Sequence, residues 1–469
     1  MPLRLYITKS VGRCVRQLPT PCCKALKRFI LLTMRLFCLI FLIGFVYSMT
    51  AKAQTPEQFA DDWEKEHIST IFPSDVRHAD LKKYIEQIKK LGLTVSEVGR
   101  SNANREIYQV EWGTGPLKVF MWSQMHGDEP TATSALVDMF AFLQKNRSSD
   151  RIKKIGEMIT IRAIPMLNPD GADAFQRRNL QGVDINRDAL DLKTPEARLL
   201  KQLRDDWMPA IGFNLHNQGR LTTVGRSVNQ AAISFLTVFG DAAKTTNYGQ
   251  QRNQRVVSAM VTALRKFIPG HIARYSDEWT PTAFGDNFSA WGTPTILIET
   301  GGLYGKDEMY LVKMNFVAFM TALDVLATGS ESKQDTKLYS SLPENSAGGL
   351  YDFIFRRANI VGKTVGESVV TADIAVNAER RRASFAASNF IRNIGSLSDF
   401  HGLEEYDVSG FNVVQRLGNL KVGELGEFYF YRKERIVDWT ATDIEKQFPA
   451  DAIFSGGKWI KGEVTLLKK

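Results

Sequence analysis

The sequence predicts an α/β fold: a mixed, mostly parallel sheet flanked by helices, followed by a smaller, mostly β domain. Three observations predict it. Short apolar strand runs alternate with helix-period segments between residues 81 and 328, the order in which helices cross between parallel strands. A polar stretch rich in Ser and Gly, residues 329–349, then breaks the pattern and reads as a linker. Beyond it, runs such as "SVVTADIAV" and "GEFYFYRKERIVDW" are strand-like. The expected organisation is a leader over 1–53, a first domain over 54–328, a linker over 329–349 and a mostly β domain over 350–469.

The leader explains the charge. The formal net charge is +9, yet residues 1–53 hold nine Lys and Arg and no Asp or Glu. The remainder has 51 basic and 51 acidic residues, so no basic surface for nucleic acid is implied. Lys27-Arg28 precede the apolar run "FILLTMRLFCLIFLIGFVYSM", and "AKAQ" follows. This is the pattern of a secretory signal cleaved after Ala53, with Met34 as an alternative start. An uncleaved anchor is the competing reading, since the run is long enough to span a bilayer; Arg35 within it and the A-x-A after it favour cleavage. The expected location is periplasmic or extracellular, with no membrane span in the mature chain. Cys14, Cys22, Cys23 and Cys38 all lie in the leader. The mature chain thus has no disulfide and no cysteine nucleophile, and a metal would need His, Asp or Glu.

The elements follow in order. "DLKKYIEQIKKLG" sets Leu81, Tyr84, Ile85, Ile88 and Leu91 on one helical face. The strands "LTVSEV", "EIYQVEW" and "LKVFMWSQM" come next, and Pro130 opens a helix. "EMITIRAIPML" is a strand leading into the turn signal "NPDG". Thr194-Pro195-Glu196 reads as an N-cap, a first-turn Pro and a first-turn acid. "AIGFNL" and "TPTILI" are short strands with a helical segment between them.

Three polar groups stand at strand ends. His126 follows "KVFMWSQM", His216 follows "IGFNL" and Glu299 follows "TPTILI". In an open α/β sheet, ligands gather at the carboxyl ends of strands. Glu129 is one helical turn from His126 and can share its face. His126, Glu129 and His216 together form a donor set that zinc takes, with a fourth position left for water. Each residue alone is compatible with a hydrogen-bonded loop or a helix cap; the joint placement is what points to metal. A second H-x-x-E, His401 to Glu404, follows no buried strand and reads as a polar turn.

The order H-x-x-E, N-P-D-G, R-x-N, G-V-D-I-N-R, L-H and a strand ending in E-T-G-G resembles the zinc metallocarboxypeptidases of the carboxypeptidase A type, over roughly residues 80–325. The resemblance implies one Zn2+ per chain, held by His126, Glu129 and His216. It implies Glu299 as general base and Arg177 as the oxyanion-stabilising group. Asn186 and Arg187 would clamp the substrate's terminal carboxylate, and Asp184 would orient His126. Departures concern the substrate. Gly127-Asp128 stand where digestive members carry an arginine. Asp188 follows the clamp, Asn214 replaces an aspartate, and the mobile capping tyrosine has no clear match, Tyr275 being nearest. Asp286 lies close to the segment expected to line the specificity pocket.

The resemblance thus implies a metallocarboxypeptidase acting on a peptide or cell-wall peptide, and the leader adds the expectation that it is exported. Two alternatives stand beside it. One is a stem-peptide amidase or N-acyl amino acid deacylase using the same zinc site. The other is a peptidase-like binding protein without turnover. "FYFYRKER" alternates aromatics on a strand, which reads as sheet packing rather than a sugar platform.

Overall fold

In the computed structural model, which describes residues 55–362 and 369–468, the first domain contains nine strands among the described residues. They are β1 (Thr94–Arg100), β2 (Glu106–Trp112), β3 (Leu117–Ser123), β4 (Ile159–Ile164), β5 (Ile211–Asn217), β6 (Thr223–Val224), β7 (Ile233–Val238), β8 (Ile272–Arg274) and β9 (Thr295–Thr300). All but β6 form one sheet in the order β1-β2-β4-β3-β5-β9-β7-β8. β4, β3, β5 and β9 are mutually parallel. The β1–β2, β2–β4 and β7–β9 pairings are antiparallel, so the sheet is mixed, as the sequence predicts. The leader, with its cleavage site, alternative start and cysteines, lies outside the described residues.

Side-chain alternation along β3 explains why both faces are covered. Val119 and Met121 enter one core with the helices Thr131–Lys145 and Glu308–Thr328. Phe120 and Trp122 enter the other with the helices Pro195–Trp207 and Phe284–Ala290. Leu81, Tyr84, Ile85 and Ile88 are all buried in the first core, as their spacing requires. Thr194 caps its helix through its side chain, accepting from the Ala197 N–H at 3.1 Å. Pro130 stands one residue earlier than expected, at the N-cap of its helix.

The sheet has its topological switch at β3. From β3 the chain crosses to β4 on one side, then returns past β3 to β5 on the other. The crevice between two such strands is where an open sheet accepts ligands.

The second domain is built from β10 (Asn345–Ser346), β11 (Leu350–Ile360), β12 (Val370–Glu379), β13 (Ser388–Gly395), β14 (His401–Asp407), β15 (Phe411–Gln415), β16 (Phe428–Arg432), β17 (Ala452–Ser455), β18 (Lys458–Lys461) and β19 (Thr465–Lys468). β10 pairs with β6, and the other nine form one sheet. Phe428 and Phe430 join a core with Phe355 and Phe454, while Tyr431 packs on the opposite face. The aromatic strand is therefore packing on both faces.

Two expectations are corrected. Residues 329–349 are not a free linker: Tyr339 and Leu342 are buried in the first core, and the Thr237 N–H donates to Tyr339 Oη at 3.0 Å. Sparse apolar residues with a polar outer face resemble a linker in composition. The segment "HGLE" is not a turn, because His401 begins β14, which pairs in parallel with β11.

The two domains are joined by polar contacts, of which one centres on a buried arginine. Arg220 forms a bidentate pair with Asp352, one arm at 2.6 Å. Tyr304 Oη donates to Glu404 Oε1 at 2.6 Å. Arg382, only 4% exposed, donates to the carbonyls of Ser74, Ala172 and Asp173 at 2.7, 2.9 and 2.8 Å. Its guanidinium also lies over the Phe175 ring at 5.0 Å. Arg382→Ala removes three hydrogen bonds and leaves the Ser74 and Asp173 carbonyls without this donor, and the expected cost is about 2–4 kcal/mol in urea denaturation. A change within about 0.5 kcal/mol would mean that these contacts do not hold the domains together.

Candidate active site

The turn after β3 is rigid for local reasons. Gln124 takes a left-handed conformation (φ 52°). Its side chain is fixed on both ends: Nε2 donates to Gly127 O at 2.9 Å, and Oε1 accepts from Thr133 Oγ1 at 2.8 Å. Asn168 of the N-P-D-G turn caps the short helix Pro169–Ala174 by accepting from Gly171 N at 2.9 Å. The same side chain donates to Met125 O at 3.2 Å, so one residue ties two loops together. Gly127 lies against that helix, where a Cβ would fall 1.9 Å from the Gly171 carbonyl carbon. Only glycine fits between His126 and Asp128.

Sheet register brings the other groups in. In the parallel β5–β9 pair, His216 stands directly opposite Glu299. His126 and His216 are 2% and 3% exposed. His126 Nδ1 is 2.8 Å from Glu129 Oε1, His216 Nδ1 is 2.6 Å from Glu129 Oε2, and the two Nδ1 atoms are 3.1 Å apart. A ligand atom from each of the three lies within 4.8 Å of the others. Asp184 Oδ1 stands 3.0 Å from His126 Nε2, which fixes that nitrogen as the donor and turns the Nδ1 lone pair inward. The Asn217 N–H donates to Glu129 Oε2 at 3.2 Å.

Such a cluster of acceptors attracts cations. Arg177 already reaches it: Nη1 is 3.1 Å from His126 Nδ1 and 3.2 Å from Glu129 Oε1, while Nε donates to Asp184 Oδ2 at 3.0 Å. Two imidazole nitrogens and a carboxylate facing one point suit zinc in their chemistry.

The electrostatics agree. Burial opposes ionisation of Glu129, but His216 and His126 outweigh it and hold the carboxyl well below its usual range. Asp184 behaves alike: burial is overcome by His126 and Arg177. Glu299 goes the other way. Burial and the Glu129 charge push its carboxyl well up, and Arg177 only partly offsets them.

These groups line a cavity of about 400 Å³ that also contains Asn186, Arg187, Asn214 and Tyr275. Asn186 Oδ1 accepts from the Phe284 N–H at 2.9 Å, and Arg187 is exposed beside it. His126, Glu129, Arg177, Asn186, Arg187, Asn214, His216, Tyr275, Asp286 and Glu299 therefore line one cavity, and Asp184 reaches it through His126. Gly127 and Asp128 do not line it, and neither does Asp188. It is 2% exposed and accepts from Lys193 N, Thr194 N and Thr194 Oγ1 at 2.9, 2.8 and 2.8 Å. It stitches a loop and is spent on those three donors. Tyr275 packs on Leu236, Val238 and Leu297 at the cavity wall, and burial pushes its hydroxyl up to about 12. The Asn217 N–H, which anchors Glu129, escaped sequence reading because a backbone donor carries no residue signature.

Comparison with known proteins gives one family match, over part of the chain. The family model described as zinc carboxypeptidase matches residues 81–198. Similar proteins include a probable carboxypeptidase 2 of Trichophyton verrucosum, 29% identical over 133 residues. That match covers 28% of this chain and 24% of the relative. A carboxypeptidase of Arabidopsis thaliana is 27% identical over 147 residues, covering 27% of this chain and 30% of that protein. The chain thus spans under a third of the length of these relatives. Among solved structures, a metallo-carboxypeptidase from Burkholderia cenocepacia aligns over 54% of this chain and 69% of its own, with 14% identity and a TM-score of 0.44. The likeness to zinc carboxypeptidases therefore rests on the segment 81–198.

One wall group titrates in an accessible range. Burial pushes the Asp286 carboxyl up to about 6, against the pull of the Thr280 N–H at 3.0 Å and of Arg187. A raised native value means that the unfolded chain loses this proton first. Stability from Asp286 is full below its unfolded value near 4 and is lost as pH rises through about 6. Asp286→Asn keeps an acceptor and removes the titration. The variant should gain about 1–2 kcal/mol over wild type between pH 4 and pH 7.5, after discounting for partial exposure. Urea denaturation at both pH values checks this; an equal difference at both would mean that Asp286 titrates normally.

Proposed function

We propose that the chain is an exported zinc carboxypeptidase that removes the C-terminal residue of peptides. The observation that carries this reading is the meeting of His126, Glu129 and His216 with the cross-strand neighbour Glu299 and with Asn186 and Arg187 on one cavity wall. One zinc per chain would be held by His126, Glu129 and His216. When bound, zinc supplies Lewis-acid polarisation and acidifies water.

The chain's own residues do the rest. Arg187 presents a forked guanidinium to the free carboxylate of the substrate, and Asn186 stands beside it. Glu299 takes the proton of the attacking water and returns it to the leaving amine. Its burial supports that role, because a desolvated carboxyl with a raised pKa can both accept and give a proton near neutrality. Arg177 lies where a fixed cation would stabilise the developing oxyanion. Asp184 holds His126 in one tautomer. The basic, apolar leader ending in Ala-Lys-Ala supports export to the periplasm or beyond.

The metal assignment has a direct check. Elemental analysis should find one zinc per chain in wild type and in Glu299→Gln, and much less in His216→Ala. Glu299→Gln should lose on the order of 10²–10⁴-fold in rate. Full zinc in His216→Ala would overturn the ligand set; near-normal turnover in Glu299→Gln would move the base elsewhere, and absence of turnover in wild type would favour a binding protein.

The clamp separates exopeptidase from amidase. Amidating the substrate's carboxyl end should lower kcat/KM roughly tenfold to a few hundredfold, the range for a lost charge-assisted pair. Arg187→Ala should lower the rate on the free acid alike and hardly change the amide. If wild type cleaves acid and amide equally well, the stem-peptide amidase or deacylase reading replaces this one.

A further inference from the structure

The cavity holding the three ligands continues past them. Asn217 and Gln218 line both it and a second cavity of about 640 Å³. Asp128, Pro130 and Thr131, which flank Glu129 in sequence, line that second cavity too. Asn186 and Arg187 belong to the first cavity only. A peptide whose carboxylate rests on Arg187 and whose scissile carbonyl lies near Glu129 therefore has the second cavity ahead of its upstream residues.

The outer wall of the second cavity comes from the other domain. Asp352 of β11, Leu403 of β14, and Arg380, Arg381 and Ala383 between β12 and β13 all line it. That connection is fastened to the first domain by the buried Arg382. Ala383 N also donates to Ser74 Oγ at 2.8 Å, and Ser384 Oγ to Asp75 Oδ1 at 2.7 Å. Arg380 and Arg381 are thus exposed side chains on a backbone held in place.

The acids on this wall are already engaged. Asp352 pairs with Arg220. Glu308 accepts from Ser74 N and Ser74 Oγ, both at 2.8 Å. Asp307 caps its helix through Tyr310 N at 2.9 Å. Arg380 and Arg381 donate only to carbonyls, Ala383 O at 3.4 Å and Ala174 O at 3.3 Å, and among the described residues neither pairs with a carboxylate. Asp128, at the Glu129 end, is the acid that would oppose an anion.

We infer that the second domain completes the substrate cleft, and that Arg380 and Arg381 form a subsite for a carboxylate-bearing residue upstream of the cleaved bond. This rests on the carboxypeptidase reading for its direction of substrate entry. Among the described residues, two guanidinium groups without partner carboxylates border the cavity, and a carboxylate there meets forked donors. Partial exposure screens the pair and limits the gain.

The test separates binding from turnover. Three peptides with the same last residue carry Glu, Gln or Lys two or three residues before the terminal bond. Each is titrated calorimetrically into zinc-loaded Glu299→Gln protein, and its cleavage by wild type is timed. The Glu peptide should bind roughly tenfold tighter than the Gln peptide. The preference should shrink in 0.5 M salt, vanish in Arg380→Gln/Arg381→Gln and invert toward Lys in Arg380→Glu/Arg381→Glu. Equal affinities for all three peptides, or a preference for Lys in the parent protein, would overturn the subsite. Failure to release the last residue from any peptide would instead overturn the carboxypeptidase reading, and the affinities would still judge the subsite.

Discussion

The register of the central parallel strands is the constraint on which the site depends. Because β5 and β9 are parallel and paired with His216 opposite Glu299, an imidazole and a carboxyl arise from neighbouring positions with no loop between them. β3 is paired with β5 so that Ser123 faces Leu215. The chain leaves the sheet there, and His126 follows within one turn. A slip of one residue in either pairing would turn His216 or Glu299 to the opposite face of the sheet. The two cores explain why that slip does not occur. Val119 and Met121 must go one way and Phe120 and Trp122 the other, so exchanging faces would mismatch volume in both layers at once.

Precision beyond the register comes from small polar devices around the β3 turn. Asn168, Gln124 and Gly127 fix the approach of Met125 and His126. Asp184 then fixes the imidazole, and the Asn217 N–H fixes Glu129. Each device satisfies a buried polar group that would otherwise destabilise the fold. The site is therefore stable as a hydrogen-bonded network and at the same time rich in acceptors. Those demands conflict in most cores; here Arg177 lends positive charge from the rim.

What was legible in the sequence follows from how each feature is encoded. His126, His216 and Glu299 could be found because a strand end is a local pattern and the sheet rule makes it a shared place. The helix face of Leu81 to Ile88 was legible by period alone. Asp188 was not legible: an acid next to Arg187 looks like a neighbour of the substrate, and its capture by Thr194 depends on a loop that folds back six residues. Residues 329–349 misled because two buried side chains, Tyr339 and Leu342, are enough to anchor a segment that is polar elsewhere. His401 misled because its strand is partly buried and flanked by acids. The role of Arg382 leaves no trace in a run of three arginines. Nothing local says which of Arg380, Arg381 and Arg382 will be desolvated.

That last distinction bears on how the two domains act together. An arginine is seldom buried unless its donors are met, and Arg382 meets carbonyls of the 3-10 turn Pro73–Asp75 and of the helix Pro169–Ala174. This is the helix against which Gly127 packs, and Asn168 at its start ties it to Met125. The contact that seats the second domain therefore bears on the element that positions the first histidine. The same three-residue run leaves Arg380 and Arg381 facing the neighbouring cavity. The connection that seats the second domain therefore also walls the second cavity. Separation of the domains would remove the outer wall and loosen the support of His126 together, which gives the chain a physical reason to keep an otherwise costly buried guanidinium.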